Sequence, residues 1–93
     1  MHATFRWYEG NEALADQLAA RADEVSAVIG AVPGVRAYYL VRVEGGTVSV
    51  TVADDAAGTE ASNAAAANWL RENMPEVAAS PPQTYMGEVV LSL

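Results

Sequence analysis

Between Val32 and Val52 the chain reads as a helix exit, a strand, a glycine turn and a second strand. No other stretch limits the possible folds as much. Pro33-Gly34 ends a preceding helix and turns the chain. The runs on either side of Gly45-Gly46 are rich in valine, threonine and tyrosine, and the glycine pair has the composition of a two-residue hairpin loop. Such a loop predicts Glu44 opposite Thr47, Val43 opposite Val48, Val41 opposite Val50 and Tyr39 opposite Val52. One face of the hairpin is then almost wholly apolar. The other carries Tyr38, Leu40 and Arg42 opposite Ala53, Thr51 and Ser49.

The rest of the chain brackets this hairpin symmetrically. His2 to Glu9 alternates as a strand, with Ala3, Phe5 and Trp7 on one side and His2, Thr4, Arg6 and Tyr8 on the other. Asn11 is placed to cap a helix from about Glu12 to about Ala31, whose apolar stripe is Leu14, Leu18, Val25 and Ile29. A second helix is expected from about Ala57 to Asn73, capped by Thr59 and ended by Pro75. Its inward stripe is Ser62, Ala65, Ala66, Trp69 and Leu70. Ala78 to Pro82 is a connection, and Thr84 to Leu93 reads as a last strand.

Strand, helix, hairpin, helix, strand is the order of the ferredoxin-like βαββαβ sandwich, an α+β fold with a four-stranded antiparallel sheet and two helices on one face. All 93 residues are expected to form this one domain. The helices are expected over the face holding Phe5, Trp7, Tyr39, Val41, Val50 and Val52. The opposite face, with Thr4, Arg6, Tyr8, Tyr38, Leu40, Arg42, Thr51, Glu88 and Val90, is expected to be open. An open face of tyrosines and aliphatics predicts a symmetric homodimer that covers it.

Composition narrows function mainly by exclusion. Twelve acids against five bases give a formal charge of −7, which disfavours nucleic acid and anionic membranes as partners. Without cysteine there is no disulfide, thiolate nucleophile or thiolate metal site. The single histidine, His2, leaves no metal cluster and no Ser/His/Asp set. The N-terminus lacks a secretion signal and no apolar run approaches a bilayer span, so a cytoplasmic protein is expected. Asp54-Asp55 sit at a strand-to-helix handover, where acids serve as caps and turn acceptors.

The remaining candidates are Arg6, Tyr8, Tyr38 and Arg42 on one sheet face, with Tyr39 on the other and Trp69 on the second helix. Arginine offers a planar fork suited to an anionic or phenolate-like ligand, and tyrosine hydroxyls can orient a substrate or stabilise an enolate. Two structural alternatives stand beside that reading. Arg6 or Arg42 could pair with Glu88, and Trp69 could anchor helix to sheet.

Pro33-Gly34-Val35 after the first helix, then Tyr38-Tyr39 and the glycine hairpin, resemble the dimeric α/β-barrel proteins of the antibiotic-biosynthesis-monooxygenase-like superfamily. The segments Thr4 to Gly10, Glu60 to Ala64 and Asn68 to Asn73 are similar to short bacterial members of that group. The resemblance implies the ferredoxin-like fold and a homodimer. It extends over quinol-type oxygenases, haem-degrading enzymes and proteins without known activity, so fold alone does not choose among them. Haem degradation in that superfamily relies on a strand asparagine, a helix tryptophan and a histidine. This chain has Trp69 but no asparagine in its first strand and no histidine after His2.

Two functions follow as expectations. One is a monooxygenase-like enzyme with no cofactor, acting on an aromatic polyketide or quinol, for which the sequence offers no obvious general base. The other is a non-enzymatic dimeric module that binds a small aromatic ligand or simply assembles.

Overall fold

The hairpin closes one step earlier than its glycine pair suggests. In the computed structural model, which describes residues 1–93, Val43 pairs with Gly46 and the two-residue loop is Glu44-Gly45. Gly45 takes the positive φ of 88° that the loop requires. Gly46 has a different task. A Cβ there would lie 2.4 Å from the Tyr8 carbonyl oxygen and 2.7 Å from the Trp7 ring, so only glycine lets β3 approach β1. The register moves by two residues relative to expectation, putting Val41 opposite Val48 and Tyr39 opposite Val50. An even shift keeps every side chain on its own face.

Four strands form one antiparallel sheet in the order β2-β3-β1-β4: β1 His2–Glu9, β2 Val35–Val43, β3 Gly46–Ala53 and β4 Gln83–Glu88. β4 is shorter than expected. Val89 donates one more backbone hydrogen bond to Met1, after which Val90, Leu91 and Leu93 are exposed. The first helical segment is broken in two, α1 Ala13–Ala19 and α2 Ala22–Gly30. Arg21 leaves helical geometry at the break and sends its guanidinium across to the long helix α3, Ala56–Asn73. Leu14, Leu18, Val25 and Ile29 nonetheless form one buried stripe, and Asn11 Oδ1 accepts from the Leu14 amide as a cap.

Asp55, not Thr59, caps α3, accepting from the Gly58 amide at 3.0 Å. Thr59 lies one turn inside, fully buried and bonded to the Ala56 carbonyl. Met74 ends α3, and Pro75 opens a single helical turn, α4 Pro75–Ala78. The result is the ferredoxin-like α+β sandwich, with helices packed on one sheet face. No helix is long and apolar enough to cross a membrane.

The covered face is the opposite of the one expected. Helices lie over Thr4, Arg6, Tyr8, Thr47, Ser49 and Thr51, all buried, with Tyr38 and Leu40 half-buried at the β2 edge. Phe5, Tyr39, Val41 and Tyr85 face outward and exposed. The reversal has a physical reason in the first half of α3, whose inward residues Gly58, Thr59 and Ser62 are small or polar. Ser62 and Asn63 come down on the sheet where Arg6, Ser49 and Thr51 stand ready to bond them. Every enclosed side-chain nitrogen and oxygen finds a partner, so a polar layer sits under the helices without an unpaired group. The apolar core lies beside this layer, built from Tyr8, Leu14, Leu18, Val25, Ile29, Trp69, Leu70, Met74 and Val77.

Candidate functional site at a buried arginine

Arg6 stands mid-sheet on β1, in a row that runs Leu40–Ser49–Arg6–Thr84 across all four strands. Its side chain is 2 % exposed. Nε donates to Ser49 Oγ at 2.8 Å, one terminal nitrogen to Asn63 Oδ1 at 2.6 Å, and the other to Thr51 Oγ1 at 2.8 Å. Ser62 Oγ lies at 3.5 Å, the limit of a bond. Thr4 donates to the same Asn63 oxygen at 3.1 Å.

All these acceptors are neutral. The ion pairs of the molecule are Arg21–Glu24, Arg36–Asp54 and Arg42–Asp16, and none involves Arg6. The expected pairing with Glu88 does not form. Glu88 lies opposite His2 at the far end of β1. Arg6 is thus a buried cation held by dipoles and left without a counter-charge. Buried charges are ordinarily paired, because removing an ion from water costs on the order of several kcal/mol.

Tyr8 follows Arg6 on the same face of β1, and Tyr38 projects from β2 beside Ser49. Burial pushes both phenols above their ordinary pKa, while the Arg6 charge pulls each back down. Burial likewise lowers the Arg6 guanidinium from its usual value, opposed by the two tyrosines. At neutral pH the site therefore presents one planar cation and two protonated phenols. This is a donor set for an oxyanion.

Arg6, Tyr8, Tyr38, Ser49 and Trp69 line a narrow cavity of about 30 Å³, whose remaining wall is Leu18, Val25, Ile29 and their apolar neighbours. Trp69 reaches it from α3 with its other side covered by Arg21, whose guanidinium carbon lies 4.9 Å from the ring centroid. It is both a core anchor and a cavity wall. Arg42 stays outside, paired with Asp16 on α1. Tyr39 belongs to the open face, 59 % exposed, and does not join the site.

Of the six residues singled out in the sequence, four therefore converge, one lies at the periphery and one faces away. The residues that sequence reasoning passed over are Ser49, Thr51, Ser62 and Asn63. Their signal was the alternation Thr47, Ser49, Thr51 on β3, matched by polar residues on the inward stripe of α3.

No three His, Cys, Asp or Glu side chains gather to hold a metal ion. His2 Nδ1 lies 2.8 Å from Thr59 Oγ1 and does not line the cavity. The residues present do not fit haem, for want of an imidazole and of space.

A helix-covered antiparallel sheet defines the class: the chain has the ferredoxin-like α+β fold of the solved structures it resembles. No family model matches it, and no curated protein does. Among solved structures it is similar to NE2512, a protein of unknown function from Nitrosomonas europaea, with 21% identity over 99% of this chain and 91% of that one and a TM-score of 0.73. A serine-substituted MhuD with two manganese protoporphyrin IX bound per active site matches at 18% identity, TM-score 0.72, over 100% and 98% of the two chains. SnoaB, a cofactor-independent oxygenase from Streptomyces nogalater, matches at 20% identity, TM-score 0.55, over 99% and 96%. At these identities the likeness is one of fold.

Proposed function

We propose that the protein binds a small aromatic molecule bearing an acidic oxygen, a quinol or a polyketide-type phenol, with that oxygen at Arg6. On this reading it acts as a monooxygenase-like enzyme that needs no cofactor. The observation that carries the reading is the buried Arg6 guanidinium with only neutral partners. A cation kept out of water with only neutral partners attracts an anion, and the tyrosine hydroxyls supply further donors. The likeness in fold to a cofactor-independent oxygenase supports the activity at the level of analogy.

The chemistry then runs through the substrate. Arg6 stabilises the ionised form of a bound phenol or enol, so the proton leaves to solvent without a dedicated base. The electron-rich anion reduces O₂, and a CH₂ flanked by aromatic rings becomes a carbonyl with release of one water. Both oxygen atoms are accounted for. No protein group changes oxidation state.

A non-enzymatic reading has one observation in its favour. No group lining the cavity is a base at neutral pH, since Arg6 is cationic and both phenols are held protonated. Oxygen uptake with a panel of anthrones and hydroquinones separates the two. Turnover that falls at least tenfold in Arg6→Gln supports the enzyme. Binding without turnover assigns a ligand-binding module, and neither binding nor turnover overturns both.

The functional unit on this proposal is a homodimer. Tyr39, Val50, Phe5 and Tyr85 form one row across all four strands of the open face, with Val41, Val48 and Trp7 in the row beside it. A second copy laid on this face would cover an apolar patch that a monomer of this size rarely leaves in water.

A further inference from the structure

The cavity at Arg6 is too small for the ligand it would attract. About 30 Å³ holds one or two waters, whereas a benzene ring occupies a cavity of roughly 150 Å³. Only the oxygen end of a ligand fits. Directly outside lies a groove of about 340 Å³, between the α1–α2 break and the sheet-edge strand β2. Leu18, Val25 and Tyr38 wall both spaces, so the partition between them is a single layer of side chains. Small side chains, Ala15, Ala19 and Ala22, line the groove's helical side. Its volume lies at the lower end of the range for small-molecule sites, roughly 300–1,000 Å³.

We infer that the two spaces are one binding site in two compartments: an oxyanion seat at Arg6, and an outer groove that takes the flat apolar body of the same ligand. Tyr38 stands at the junction, and the Arg42–Asp16 pair on the outer rim ties β2 to α1. The ligand class follows from size and charge. The seat takes one acidic oxygen, and the groove takes a planar body of two or three fused rings. Entry is from the β2 edge, past Tyr38. This assignment rests on the reading of Arg6 as an oxyanion site and adds where the rest of the ligand lies.

The test uses two anions and the Arg6 Nε–H resonance of the full chain. Formate is the head alone; 2-naphthoate is the head with a two-ring body. Formate should move the resonance only at on the order of tens of millimolar, and 2-naphthoate should bind at least about tenfold more tightly through its added apolar burial. Ala22→Trp and Ser26→Trp, at exposed helix positions that line the groove, fill it without touching Arg6. Each should erase the naphthoate advantage and leave formate unchanged, in a protein whose amide spectrum reports a native fold. If naphthoate stays tight in both variants, its body lies elsewhere and the outer compartment is refuted, while the Arg6 seat stands. If neither anion moves the Arg6 signal, the seat itself is refuted, and the two-compartment site with it.

Discussion

Arg6 and Ser49 are register partners on β1 and β3, and the arginine Nε–H meets the serine Oγ at 2.8 Å inside the closed sandwich. The pair joins a full charge to a neutral acceptor. Ser49→Ala should leave a buried charged donor short of a partner and cost about 1–3 kcal/mol in urea unfolding. Arg6→Met should cost less than the roughly 3–5 kcal/mol typical of breaking a buried ion pair, because no opposite charge is left behind. In the double variant the serine's effect should largely vanish, since its donor is gone. Additive losses would contradict the Arg6–Ser49 bond, and an Arg6→Met protein that cannot fold would assign Arg6 to structure rather than to ligand recognition.

Tyr8 and Tyr38 predict an alkaline weakness. Their folded pKa values lie above the ordinary 10.0. The folded state therefore holds these protons more tightly than the unfolded chain. Stability from this source is complete below pH 10 and declines as pH rises through the folded values. The lowered Arg6 works in the opposite sense, because the folded state holds that proton less tightly than the unfolded chain. Urea midpoints should thus fall as pH rises above about 10, and less steeply in Tyr38→Phe. A midpoint independent of pH in that window would contradict the burial of both phenols.

Much of this architecture was legible before the structure, and the site was not. Leu14, Leu18, Val25 and Ile29 announced their helical stripe through spacing alone, and the strand parities of β1 to β3 survived even a two-residue register shift. The orientation of the sheet did not follow from the same pattern. Alternation separates two faces without saying which one the helices take. Here the rule that the apolar side goes inward fails, because Ser49, Thr51, Ser62 and Asn63 satisfy one another around Arg6. That network joins residues more than forty positions apart in sequence, as Arg6 to Ser49 and Arg6 to Ser62 illustrate. Local periodicity carries no trace of which residues pair; the visible signs were the alternation of Thr47, Ser49 and Thr51 on β3 and the inward Ser62 on α3.

Gly46 offers a sharp test of the β1–β3 approach. Gly46→Ala would drive a methyl into the Tyr8 carbonyl and the Trp7 ring, and the backbone oxygen cannot swing aside. A loss of about 1–3 kcal/mol is expected, at the upper end because backbone as well as side chain must shift. Gly30→Ala in α2 meets nothing within 4 Å and should instead be neutral or gain up to about 1 kcal/mol. Thermal melts of the two variants therefore move in opposite directions. Equal shifts would show that the Gly46 contact relaxes freely.

The open sheet face makes the last prediction. Val50 sits at its centre, flanked by Tyr39 on one side and Phe5 on the other. Its side chain points away from the helices, so a lysine there disturbs no packing within the sandwich. A charge at the middle of an apolar interface must be buried unpaired or hold the surfaces apart, and like charges meet near a symmetry axis. The proposed homodimer predicts twice the chain mass of 9.8 kDa in sedimentation at micromolar concentration, and a monomer for Val50→Lys. The monomer should keep the native helical signal, because the Arg6 layer and the core lie on the other side of the sheet. A wild-type protein that sediments as a single chain would mean that this face tolerates water, and the dimer proposal would fall.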